Sequence, residues 1–166
     1  MTGILKKIPG LSVLATGNLE LGIHGIGADG LKDLTELMVR MSSVPVVNST
    51  EAIERGLPML EVNATTILIG NEWATMLIVR LHDHLVIARS QMQTPVATWE
   101  DAVLYRSDFS ALADRTRQML SNTLTRLCNE IHAVNPGLIR CEVDPTKKPF
   151  DYYAGPSAWD VYLREK

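Results

Sequence analysis

Residues 63–90 read NATTILIGNEWATMLIVRLHDHLVIARS, and they are the most strand-like stretch of the chain. Thr65 to Ile69, Trp73 to Leu81 and Leu85 to Ala88 are rich in β-branched and apolar residues, with Gly70-Asn71 and His82-Asp83 as turn signals between them. Connections this short force antiparallel neighbours, so the stretch predicts a three-stranded meander.

Working toward the N-terminus, Leu11 to Ala15 predicts a strand, and Thr16-Gly17-Asn18 predicts a turn. Leu19, Leu21 and Ile23 alternate with Glu20, Gly22 and His24 in the period of a half-buried strand, which predicts an opening hairpin. From Asp29 the period changes. Leu31, Leu34, Leu37, Met38 and Met41 share one helical face, with Lys32, Asp33, Glu36 and Arg40 opposite. Val44 to Val47 is too short and proline-broken for a central strand and reads as a crossover. Asn48 and Glu51 pair as the N-cap of a brief helix that Gly56 ends.

Toward the C-terminus, Thr94-Pro95 reads as a loop and Thr98 to Arg106 as a short helix. Ser107 is the expected cap of a long helix reaching residue 134, before Pro136-Gly137. Leu120, Leu124, Leu127, Ile131 and Val134 form its stripe, which Phe109, Leu112 and Thr116 extend upstream. The expected fold is α+β: a five-stranded antiparallel sheet built from a hairpin, a helix and the meander, closed by the long helix. Residues 1–143 form the domain, and 144–166 are an extension. Phe150, Tyr152, Tyr153, Trp159 and Tyr162 lie in that extension and are five of the nine aromatics, a candidate partner-binding tail.

Composition narrows the function. At 46% apolar and 21% charged residues, 166 residues suffice for a core without staples. A net charge of -3 and a pI near 5.8 offer no basic footprint for nucleic acid. Neither a signal peptide nor a run of about 20 apolar residues is present, so the reading is cytoplasmic, with no membrane insertion. Cys128 and Cys141 stand apart as small hydrophobes.

Gly25-Ile26-Gly27-Ala28-Asp29-Gly30 is a literal G-x-G-x-x-G between an expected strand and a helix. Gly25, Gly27 and Gly30 would let backbone amides and a helix N-terminus approach a pyrophosphate. The same glycines also serve a plain turn with Asp29 as cap. His82 and His84 flank Asp83 without a third metal ligand fixed by the sequence, and they read as turn residues. No catalytic set, cofactor or metal site emerges from the residue pattern.

Several strings resemble the roadblock family, the dynein-light-chain-like domains that include bacterial partners of small Ras-like GTPases. Ile4-Leu5-Lys6-Lys7-Ile8-Pro9-Gly10-Leu11 is similar to that family's short helix and entry into its first strand. Thr16-Gly17-Asn18 stands at its first hairpin turn, Leu31 to Met41 at its central helix, and Leu81-His82-Asp83-His84-Leu85-Val86-Ile87 at its last hairpin. The resemblance covers residues 1–90. It implies a non-catalytic homodimer in which Asn63 to Gly70 pairs with its copy, acting as an adaptor or regulator of a small Ras-like GTPase or of a larger assembly. Thr65, Thr66, Ile67, Leu68 and Ile69, flat and uncharged, would then form the interface. The alternative is a small nucleotide-binding protein or enzyme using the Gly25–Gly30 loop.

Overall fold

The structure is a computed structural model that describes residues 8–87 and 92–134. The expected opening helix at Ile4 to Lys7, Cys141, and the tail aromatics Phe150, Tyr152, Tyr153, Trp159 and Tyr162 lie outside the described residues.

Four strands form one sheet: β1 (Ser12–Gly17), β2 (Met59–Ile69), β3 (Glu72–Ile87) and β4 (Met92–Ser107), ordered β1-β2-β3-β4. The first hairpin turns at Gly70-Asn71 as expected, but the second hinge and the third strand of the meander are not those expected. β3 runs straight through His82-Asp83, and β4 pairs along it from Trp73↔Ser107 to Ile87↔Met92. What the His82 signal marks is a register shift at Leu81/His82, where the Thr98 hydroxyl donates to the Leu81 carbonyl at 3.1 Å. Thr98 to Arg106 is therefore strand, not helix, and Thr94-Pro95 belongs to the same strand. Proline is tolerated there because β4 lies at the sheet edge.

The expected opening hairpin is absent, which leaves four strands instead of five. Leu19–Ile23 is a single turn of helix, α1. Of its three alternating apolar residues only Leu21 is buried; Leu19 is 76% exposed and Ile23 71%. One inward side chain in five residues fits a helical turn as well as a strand, so alternation alone misleads here. β1 instead pairs in parallel with β2, from Ser12↔Met59 to Gly17↔Ala64.

Between those partners run α1, α2 (Ala28–Met41) and α3 (Ser49–Arg55). α3 follows its sequence signals: the Asn48 side chain accepts from the Glu51 N–H at 2.8 Å, and Gly56 ends the helix at φ 61°. After a 3-10 turn at Phe109–Ala111 comes α4 (Leu112–Val134), later than the expected start at Ser107, which instead ends β4. α2 and α4 cover one face of the sheet. Leu31 and Val39 from α2, and Leu120, Leu124, Leu127 and Ile131 from α4, pack with Val13, Leu60, Val62, Leu77 and Val79 from the strands.

Candidate interaction surface

Side chains alternate across a strand, so burying one set of a two-layer sheet leaves the other set to be covered or exposed. In β2, Leu60, Val62, Ala64 and Thr66 face the helices; in β3, Thr75, Leu77, Val79 and Leu81 do the same. The opposite face is covered by no helix among the described residues. Its centre is apolar: Ile67 is 56% exposed, Met76 45% and Leu104 75%. The register brings them together, with Met76 opposite Leu104, Ile78 opposite Ala102, and Ile67 opposite Ala74.

Charged rows bound this centre at both ends. At one end Arg80 Nε donates to Glu100 Oε2 at 2.5 Å, and His82 Nε2 lies 2.8 Å from Glu61 Oε2. The hydrogen bond to Glu100, then the charges of Glu100 and Glu61, hold the Arg80 guanidinium above its ordinary pKa. At the other end Arg106 pairs with Glu72 at 3.4 Å. An apolar centre with a polar rim is the anatomy of a protein-binding patch. Sequence reading missed Met76 and Leu104 as surface residues. The signal was the alternation Glu100, Ala102, Leu104, Arg106, hidden because the same residues suit a helix.

The strand singled out as an interface divides. Thr65, Ile67 and Ile69 lie on the uncovered face, whereas Thr66 is buried beneath the helices and Leu68, also on the helix side, is 58% exposed. One edge of this stretch pairs with β3. On the other, β1 stops at Ala64, and the Asn18 side chain holds both backbone groups of Thr66.

The glycine loop joins two helices. The Gly25 N–H donates to the Gly22 carbonyl at 3.1 Å and the Ile26 N–H to the Leu21 carbonyl at 3.0 Å, so both amides finish α1. Gly25 sits at φ 75°, and a Cβ on Gly27 would meet the Gly22 Cα at 3.2 Å. Asp29 in the first turn of α2 places a carboxylate where a phosphate would approach. Nearby, His24, Trp73 and Phe109 form an aromatic group, with His24 and Phe109 centroids 4.3 Å apart. Phe109, expected on the helix stripe, is 65% exposed.

Within the sheet a line of hydroxyls crosses the core. Thr66 Oγ1 lies 2.8 Å from Thr75 Oγ1; next along the sheet the Tyr105 hydroxyl donates to Thr116 Oγ1 at 2.7 Å, and Thr116 donates to the Leu112 carbonyl at 2.7 Å. Burial pushes the Tyr105 phenol up, against the opposing pull of hydrogen bonds to Thr116 and Thr75.

No family model matches this chain. No curated protein matches it either. Among solved structures, a PelC variant dodecamer from Paraburkholderia phytofirmans is similar at 8% identity and TM-score 0.44, over 74% of this chain and 90% of that one. A second PelC dodecamer from the same organism gives 10% identity, TM-score 0.40, and 76% and 87% coverage. A minor lipoprotein from Acinetobacter baumannii gives 15% identity, TM-score 0.38, and 76% and 94% coverage. Among the described residues no helix is long and apolar enough to cross a membrane, and no group of three or more His, Cys, Asp or Glu is placed to hold a metal ion.

Proposed function

We propose that this chain is a non-catalytic homodimeric adaptor that receives a protein partner on the uncovered face of its sheet. One observation carries the reading: Ile67, Met76 and Leu104 form an exposed apolar centre bounded by the Glu61, Arg80 and Glu100 row and by Arg106 with Glu72. Burying such a centre contributes association energy, while the rim sets orientation and partner choice. The likeness of residues 1–90 to roadblock domains supports the same class of function and points to a small Ras-like GTPase or a component of a larger assembly as partner.

A photo-crosslinking residue in place of Met76 tests the face in cells that make the protein. The expected result is a discrete adduct with a different protein, abolished by Leu104→Glu in a variant that keeps its melting temperature. Absence of any heterologous adduct, or an adduct insensitive to Leu104→Glu, overturns the reading.

A further inference from the structure

β4 is the last strand of the sheet, and among the described residues no strand pairs with its outer edge. Which of its backbone groups point outward follows from Asn18. Thr66 turns its N–H and C=O toward Asn18, away from β3, so Thr66 and Thr75 form a non-hydrogen-bonded pair. Thr75 therefore turns its groups toward β4, where it faces Tyr105. By alternation Tyr105, Val103 and Asp101 spend their backbone groups on β3. Glu100, Ala102, Leu104 and Arg106 each aim an N–H and a C=O into the open edge.

An edge of this length, carrying exposed Leu104, is a template for another strand. We propose that β4 pairs antiparallel with β4 of a second copy of this chain, about a two-fold axis at Val103. This inference rests on the homodimer reading above and moves its interface from β2 to β4.

Charge selects the register. Outward-facing residues must meet outward-facing residues, which permits the axis at Ala102, Val103 or Leu104 within the Glu100–Arg106 stretch. With the axis at Val103, Glu100 faces Arg106 of the second copy, Arg106 faces its Glu100, and Ala102 meets Leu104. With the axis at Ala102, Glu100 faces Leu104; with it at Leu104, Glu100 faces Asp108. Of the three, the Val103 register sets opposite charges together, and it does so twice. Pro95, which lacks an N–H, and the irregularity beside Thr98 both fall outside this stretch. The axis stands perpendicular to the sheet, so the pairing yields one continuous eight-stranded sheet with both uncovered faces on the same side.

The test uses the purified full chain with Cys128→Ala and Cys141→Ser. Light scattering is expected to report a dimer. Val103→Cys then sits opposite itself in a non-hydrogen-bonded pair, with Cα atoms about 4.5 Å apart, within disulfide reach. Mild oxidation gives a covalent dimer, whereas Leu104→Cys, two positions out of register with its own copy, gives none. Glu100→Lys alone weakens the dimer about tenfold, and adding Arg106→Glu restores it. Rescue can arise only between copies, because inside one copy the double variant disrupts the ion pairs with Arg80 and Glu72. A dimer with neither crosslink nor rescue overturns the β4 pairing and leaves the adaptor reading standing; a monomer at all concentrations overturns both.

Discussion

The carboxamide of Asn18 grips the backbone of Thr66 in both directions. Its Nδ2 donates to the Thr66 carbonyl at 2.6 Å, and the Thr66 N–H donates to its Oδ1 at 3.3 Å. A side chain thus supplies one further rung of the β1–β2 ladder after β1 has ended. Asn18→Ala leaves both partly buried groups of Thr66 without that partner and is expected to cost about 1–3 kcal/mol. Urea denaturation checks the cost, and faster amide exchange at Thr66 checks its location.

Tyr105 gives a pH dependence of definite sign. Burial raises its folded-state pKa above the ordinary value of 10.0, so the neutral phenol is the form that the fold favours. Its contribution to stability is complete below the unfolded pKa and is lost as pH rises through the folded one. Tyr105→Phe is expected to lower stability by about 1 kcal/mol at pH 7, because the Thr116 hydroxyl loses a donor. The variant should also lose less stability than the parent between pH 9 and pH 12, as read by denaturant midpoints.

Cys128 is expected to be inert in the folded protein. Burial pushes its thiol pKa up against the opposing hydrogen bond with Ser42, which keeps the nucleophilic thiolate scarce. In a Cys141→Ser background, a disulfide exchange reagent at pH 8 should label Cys128 only at the rate at which the chain opens. Prompt stoichiometric labelling would contradict its burial.

The glycine loop is expected to bind no adenine nucleotide, because the Gly25 and Ile26 amides already close α1 and Asp29 repels a phosphate. Titration calorimetry at millimolar ligand should be flat. Saturable micromolar binding that Gly27→Val abolishes would restore the nucleotide reading. Gly25→Ala, forced to φ 75° with open space around it, is expected to cost about 1–2 kcal/mol by strain alone.

Periodicity made the two large helices and the first hairpin of the meander, turning at Gly70-Asn71, legible, because each has a long face against the core. Leu120, Leu124, Leu127 and Ile131 are all buried where the spacing placed them. It misread the two elements in which local pattern and tertiary setting diverge. Leu19 to Ile23 alternates like a strand, yet no neighbouring strand offers it an edge. Thr98 to Arg106 contains Trp99, Glu100, Asp101, Ala102 and Leu104, a composition that suits a helix. β3 overrides it by pairing along its whole length, and Arg126 sets a positive charge against the carboxylate of Asp101. The uncovered face depends on strand order and on which side the helices pack, neither of which a local window contains. The parallel placement of β1 was hidden for the same reason.

That parallel pair has a consequence in time. β2, β3 and β4 join neighbours in sequence, so the meander can form early through short connections. β1 cannot reach β2 until residues 18–58, with their three helices, have been laid across the gap. Its docking is therefore expected to be the last step of folding, and pulse-labelled amide exchange should protect Val79 and Val103 before Leu14, whose N–H, like that of Ser12, is turned toward β2. A chain emerging from the ribosome makes β1 first and uses it last. Until that final step, the edge of β2 opposite β3 is unpaired along Met59–Ala64, and the half-built sheet is open to strand capture on both sides.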